Sequence, residues 1–322
     1  MGNRHLMFRA ARKILRRTPY TSSYQQINGQ SANDYIYNLV SECLSTHKGL
    51  MISKFGTIEL DNYVCHLINN NGVKFRNYID ALKGEYSIHS DDAFQKLCNN
   101  AGFFPNDNSL ISRYCQMVKN DIPEIDVLGS YIIAEKYIND LLKQDCVKVD
   151  LDGYYAPFKW RNPWTSALKG KNVVVIHPFA KSIKEQYKKR DKLFEDPNTL
   201  PEFNNLFVIK AVQSIAGNTN MLPYNNWFEA LEDMKKQLDS CVYDAVIVGC
   251  GAYGMHLCAH AKRQNKVAIQ LAGWTQMLFG IYGKRWIEDQ PEYSKYINEN
   301  WIRPSLDETP NSISSVEGGC YW

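Results

Sequence analysis

Short β-branched runs alternate along the chain with stretches whose apolar positions recur every three or four residues. The runs at 49–53, 126–130, 146–149, 171–176, 207–212, 243–248 and 267–269 predict strands. Tyr35, Ile36, Leu39, Val40 and Cys43 predict a helix over 32–45, and Tyr63, Val64, Leu67 and Ile68 a second. Further helices are predicted from the loop at 103–109 through Asn120, over 132–143, after His177 through Arg190, over 227–238, and after 254. Residues 84–101 carry no clear period. Apolar runs without polar alternation suit strands buried on both faces. Strand alternating with helix predicts an α/β fold, Rossmann-like, with a mostly parallel sheet, helices on both faces and two Rossmann-like halves. The aromatic-rich loop 154–164 divides residues 31–322 into halves of about 31–155 and 165–322.

Chemistry gathers where strands give way to turns. Residues 249–254 read Gly-Cys-Gly-Ala-Tyr-Gly between a strand and a helix. Gly249, Gly251 and Gly254 suit a sharp turn, and bare Cα atoms let a phosphate approach the helix N-terminus. The other reading is a tight turn with close helix packing and no ligand. A nicotinamide fingerprint needs an acid about 20 residues on. Here the second strand ends at Gln270, which disfavours a Rossmann oxidoreductase and leaves a nucleotide diphosphate. Tyr253, Trp274 and Gln276 are expected at the mouth of this turn, with Trp274 equally readable as core. Asn162 and Trp164 are candidates for an acceptor side.

Two other strand ends carry polar groups. Lys54, Gly56, Thr57, Glu59 and Asp61 follow the first strand, in the place where open α/β sheets bind ligands. Glu59 reads as a metal ligand, as a base toward an acceptor hydroxyl, or as a first-turn acid favoured by the helix dipole. His177 ends a strongly apolar strand, as a phosphate donor, a base or a satisfied loop histidine. His256 and His260 stand four apart on one helix, but no third zinc ligand is evident, so a packed or solvated pair is expected. Lys181, Lys184, Lys188, Lys189 and Arg190 read as a solvated helix face.

Bulk properties narrow the class. With 322 residues, 44% of them hydrophobic, the chain can bury a large core. A net charge of +3 is too mild for a nucleic-acid binder. Nine cysteines without a CxxC pair point to reduced thiols of a cytosolic protein. No run approaches a membrane span and no signal peptide is legible. Residues 1–30 form a basic amphipathic segment and a polar linker. Arg9, Arg12, Lys13 and Arg16 fall on one helical side and Met7, Phe8, Ala11, Ile14 and Leu15 on the other. That pattern suits an anionic membrane surface contacted through residues 4–17, a basic tail or an oligomer contact.

The stretch Lys54-Phe55-Gly56-Thr57-Ile58-Glu59 resembles the Arg-Phe-Gly-Asp-Gly-Glu motif of the GT-D-fold glycosyltransferases, best in a bacterial branch associated with surface-polysaccharide synthesis. Residues 246–254 and 268–276 resemble that family's later glycine turn and strand. The resemblance to the branch covers most of residues 33–322. It implies a catalytic domain over 31–322, a glycosyltransferase of hexosyltransferase type, and a nucleotide-sugar donor, UDP-linked by expectation. It further implies a lipid-linked or surface glycan acceptor and a cytoplasmic place on the inner face of the membrane. Lys54, Gly56, Thr57, Gly249, Gly251, Tyr253, Gly254, Trp274 and Gln276 would then bind the donor, with Glu59, Asp61 and His177 catalytic. The family's acid pair is thought to serve a divalent metal, Mn or Mg. Thr57 stands in place of the first acid, so Glu59 is left as metal ligand, with Asp61 as a partial substitute; metal dependence stays open. The missing acid also motivates a non-catalytic membrane-associated assembly protein with a decayed site.

Overall fold

The computed structural model describes residues 15, 17–87, 90–220, 222–311 and 313–322. Seven parallel strands form one sheet in the order β3-β2-β1-β7-β6-β4-β5. They are β1 Leu50–Ser53, β2 Val127–Gly129, β3 Val147–Val149, β4 Asn172–His177, β5 Asn205–Lys210, β6 Ala245–Val248 and β7 Val267–Gln270. The α/β fold with a parallel sheet flanked by helices is the one expected from the sequence.

Strand composition follows position. β1, β6 and β7 are buried along their whole length, as continuous apolar runs require when helices cover both faces. The outer strand β5 alternates in exposure and ends at the exposed Lys210, a charge that discourages edge pairing. Alternate residues of the central strands feed two cores. Met51, Val174, Val246 and Ala268 face helices Thr57–Asn71, Ile111–Asp121, Trp227–Asp239 and Gly254–Arg263. Leu50, Val173, Ile247 and Ile269 face helices Gly29–Thr46 and Ala180–Tyr187 and a layer of tryptophans, Trp164, Trp274, Trp286 and Trp301.

The two sequence halves share this sheet. β1 pairs with β7 through Leu50 with Val267, Met51 with Ala268, and Ile52 with Ile269. The Ser53 hydroxyl extends the seam by donating to Gln270 Oε1 at 2.5 Å. The aromatic loop between the halves is core: Trp164 is fully buried, its Nε1 donates to the Tyr154 carbonyl at 2.9 Å, and its backbone N–H donates to Asn33 Oδ1 at 2.9 Å.

Three expectations need correction. Residues 133–137 and 139–141 form 3-10 turns, not one helix, because the chain wraps the buried Glu135 carboxylate, which accepts from the Tyr131 and Ile132 N–H groups. Residues 84–101, without a clear period, contain the helix Ser90–Ala101, opened by Asp91 and Asp92 at its positive end. The polar linker is tied down: Tyr20 bridges to Ile132, Ile27 bridges to Val149, and the first described long helix starts at Gly29. The basic amphipathic segment lies outside the described residues, apart from Leu15 and Arg17.

Replacing Trp164 by Ala removes a large buried ring and the indole hydrogen bond to the Tyr154 carbonyl at the junction of the halves. The expected loss is about 3–5 kcal/mol of unfolding free energy, measured by urea titration.

Candidate functional site

Parallel strands present their carboxyl ends on one edge of the sheet, and ligands of open α/β proteins sit there, where strand order reverses. In this sheet β1 leads outward to β2, whereas β6 leads inward to β7 beside β1. A cavity of about 690 Å³ opens above that seam. Its wall takes Lys54, Gly56, Thr57, Ile58 and Glu59 from the end of β1, His177 from β4, Gly249–Gly251 from β6, and Trp274 and Gln276 beyond β7. Two clusters nearly two hundred residues apart in sequence therefore meet in one space.

Glu59 stands in the first turn of helix Thr57–Asn71, and its carboxylate folds back over Gly56, the residue capping that helix. A methyl group at Gly56 would collide with that carboxylate, so the bare Cα is what lets Glu59 take this pose. Burial raises the Glu59 pKa, and Lys54 opposes the shift. Burial lowers the Lys54 pKa, and Glu59 opposes that in turn. Each charge is costly in the cavity and is eased by the other. Lys54 Nζ also lies 5.8 Å from the centre of the Tyr131 ring, whose hydroxyl donates to the Phe55 carbonyl at 2.9 Å.

Gly251 lies at φ +57°, in the left-handed region, and a Cβ there would come within 2.7 Å of the Ala101 carbonyl. The turn it makes opens a short 3-10 segment, Gly251–Tyr253, and then helix Gly254–Arg263. The Tyr253 and Gly254 N–H groups are taken by the Cys250 and Gly251 carbonyls, so what favours an anion here is the positive end of the helix dipole. Gly249 and Gly254 are bare for packing: Cβ atoms there would strike Thr275 Oγ1 at 2.5 Å and Gln270 Nε2 at 2.8 Å.

His177 is buried, and its Nδ1 accepts from the Phe179 N–H at 3.0 Å. That bond fixes the ring proton on Nε2. Burial lowers its pKa to about 3, so the ring is neutral at ordinary pH. In this tautomer His177 is a donor at the cavity wall; the base role of the sequence reading does not fit it.

Other expected residues fall elsewhere. Asp61 does not line the cavity; two residues along a helix turn a side chain to the opposite side, and its carboxylate accepts from the Ser87 N–H. Gly254 is likewise not in the wall. Tyr253 lines the cavity but stacks on Trp227 with centres 4.9 Å apart, so one ring face is covered by core. Trp274 stacks on Tyr155 at 5.5 Å and meets Tyr293 edge-on at 4.6 Å, which makes an aromatic wall of core and cavity together. Gln276 Nε2 donates to the Tyr321 carbonyl at 3.0 Å. Asn162 and Trp164 are not in the wall. His256 and His260 each face a carboxylate of their own, Asp121 at 2.6 Å and Asp239 at 2.7 Å, and are not a shared metal pair.

The cavity also takes residues outside the strand-end motifs, among them the terminal segment 317–322, whose two glycines and two rings suggest a tail that docks back. Arg285 holds Glu317 at 2.5 Å and the Tyr321 hydroxyl at 2.8 Å, and all three line the wall. Tyr131 lies just beyond β2, where the strand-end rule would have found it. Gln290 also lines the cavity, and its Oε1 is buried with no hydrogen-bond partner among the described residues.

The donor set does not fit a resident divalent metal at Glu59. Among the described residues no three His, Cys, Asp or Glu side chains gather to hold one. Thr57 supplies no carboxylate, Asp61 points away, and Lys54 and Arg285 already bring positive charge to the cavity. No protein-family model, curated protein or solved structure matches the chain. Fold and cavity define an α/β protein with a charged, aromatic-walled cavity at the strand ends.

Gly56→Ala keeps an ordinary backbone conformation but displaces the carboxylate. The expected result is an unchanged circular dichroism spectrum with the Glu59 pKa moving down toward the ordinary glutamate range, read by carboxyl carbon NMR. His177 binds fewer protons folded than unfolded between its ordinary 6.5 and about 3. It therefore withdraws stability as pH falls through that window, by up to about 1.4 kcal/mol per pH unit. His177→Asn, which keeps an acceptor for Phe179 but does not titrate, should flatten the acid limb of the pH–stability curve by that amount.

Proposed function

We propose that the protein is a glycosyltransferase that moves a sugar from a nucleotide-sugar donor, UDP-linked in our reading, to a hydroxyl of a lipid-linked or surface glycan. The observation that carries this reading is the convergence of Lys54, Gly56, Thr57 and Glu59 with Gly249–Gly251 on one cavity of about 690 Å³. That volume suits a ligand of nucleotide-sugar size.

The chemistry follows from the wall. A departing nucleoside diphosphate gathers negative charge, which must be met by fixed donors and cations. The positive end of the helix dipole behind the Gly251 turn, Lys54 and Arg285 supply them without a metal. An anion beside Lys54 also offsets the burial that lowers its pKa. Asp152, Tyr155, Trp274, Gln290 and Tyr293 combine aromatic rings with a carboxylate and an unpartnered amide oxygen, a lining suited to a sugar's hydroxyls and apolar face. Glu59 serves as base toward the acceptor hydroxyl, because its raised pKa brings it closer to the working pH. His177 donates from Nε2 to the diphosphate. Against a nicotinamide site, β7 ends in Gln270, an amide already bound by Ser53.

The test is donor hydrolysis and transfer across a panel of nucleotide sugars, with manganese and with chelator, on wild type and Glu59→Gln. We expect turnover indifferent to chelator and reduced about 10²–10⁴-fold by Glu59→Gln. UDP should raise the melting temperature. Unchanged turnover in Glu59→Gln removes the catalytic assignment. Stabilisation by NAD but not UDP, or by no nucleotide, overturns the donor class.

A further inference from the structure

Helix Phe75–Leu82 is turned inside out. On an ordinary surface helix the apolar stripe faces the core and the charged side faces water. Here Phe75 is 81% exposed, Tyr78 46%, and Ile79 and the preceding Val73 37% each. Phe75, Tyr78 and Ile79 are spaced three and four apart, so they make one outward stripe. The inward side carries Asp80, buried and paired with Lys136 at 2.9 Å while accepting from the Tyr137 hydroxyl at 2.8 Å. Lys136 also takes Glu85 at 2.5 Å. The ionic contacts hold the helix, and the rings are left for something else. Scattered exposed apolar residues need no explanation, but a continuous stripe on one helix does.

Its surroundings identify the occupant. Lys74 and Arg76 are exposed beside the stripe, and Lys83 follows the helix, while the acids Asp80 and Glu85 are already neutralised by Lys136. The Arg17 N–H donates to the Lys83 carbonyl at 2.9 Å, so Arg17 sits at the end of this helix. The sequence preceding Arg17 brings Arg4, Arg9, Arg12, Lys13 and Arg16. A second copy of the chain set on the stripe by a two-fold axis would bring Lys74, Arg76 and Lys83 against their own equivalents. Residues 1–16 laid on it would add like charge to like. An anionic bilayer takes both features, apolar side chains below the headgroups and cations at their level.

We propose that Val73, Phe75, Tyr78 and Ile79, flanked by Lys74, Arg76 and Lys83, form a docking surface for an anionic lipid membrane. The chain then links this surface to the cavity directly. From Arg17 it runs to Pro19, whose carbonyl accepts from Ile133 N–H at 2.9 Å, and to Tyr20, which stacks on Tyr131 at 5.8 Å and lines the cavity. The membrane face thus lies a few residues from the cavity rim.

The experiment is co-sedimentation of the full chain with vesicles of phosphatidylcholine alone or with one third phosphatidylglycerol. Wild type, Phe75→Ser/Ile79→Ser and Lys74→Glu/Arg76→Glu are compared, with light scattering of each in solution. We expect binding to the anionic vesicles only, lowered at least about tenfold by either double substitution and by high salt. Both variants should keep wild-type circular dichroism, since they alter exposed positions. Absence of wild-type binding, or binding that the apolar pair leaves unchanged, overturns the proposal. A dimer that the apolar pair converts to monomer overturns it in favour of a second copy. None of these readouts depends on donor turnover, so the result stands apart from the enzymatic reading.

Discussion

The pairing of β1 with β7 is the contact on which the rest depends. Three residue pairs and the Ser53–Gln270 hydrogen bond join a strand near the start of the described fold to one more than two hundred residues later. Each strand is followed at once by a turn with chemistry in it. Pairing in parallel register puts both turns at the same height above the sheet. β7 pairs in turn with β6, whose end carries Gly249 and Gly251, so Glu59 and Gly251 share a cavity across the β1-β7-β6 seam. A slip in this register would send every β1 side chain to the wrong core and separate the two walls together. Fold and cavity are not independent achievements of the sequence.

The same seam sets the electrostatics. A cavity sunk among Tyr131, Tyr155 and Trp274 withholds water from Lys54 and Glu59 and pushes both toward their neutral forms. Arg285 remains a cation in any state of the protein and is already steadied by Glu317 and Tyr321. One fixed charge beside one adjustable acid–base pair is an arrangement that tolerates the arrival of a dianion. Glu317 sits at φ +49°, followed by Gly318 and Gly319, also at positive φ. These three residues turn the chain so that Tyr321 reaches the cavity wall.

The sheet was legible because its strands are written in Val, Ile and Ala with little polar interruption, as in 245–248 and 267–269. Helices with a clear apolar face, such as Trp227–Asp239, were legible too. Segments shaped by a single buried polar group were not. Around Glu135 the apolar spacing resembles a helix, yet a carboxylate that gathers three local donors winds the chain into 3-10 turns. The candidate site divides the same way. Residues at strand ends, Lys54, Glu59, His177 and Gly251, follow from a positional rule. Arg285, Gln290 and Glu317 sit in irregular chain after the last strand, where no period exists and only tertiary packing decides direction. Asp61 shows the limit of proximity in sequence, since the helix that begins at Thr57 carries it away from Glu59.

The inverted helix and the cavity share one structural logic. In both, ionic contacts are spent inward to hold a piece of chain in place: Asp80 and Glu85 on Lys136 in one, Glu317 on Arg285 in the other. What remains outward is exposed rings in the first case and the polar wall of the cavity in the second. A single short run, from Lys83 through Arg17 to Tyr20 and Tyr131, joins the two. If the helix rests on lipid, that run fixes the cavity's height above the headgroups. An acceptor anchored in the same membrane would then be met by a pocket already at its level, so that orientation, and not affinity for the acceptor in free solution, does the selecting.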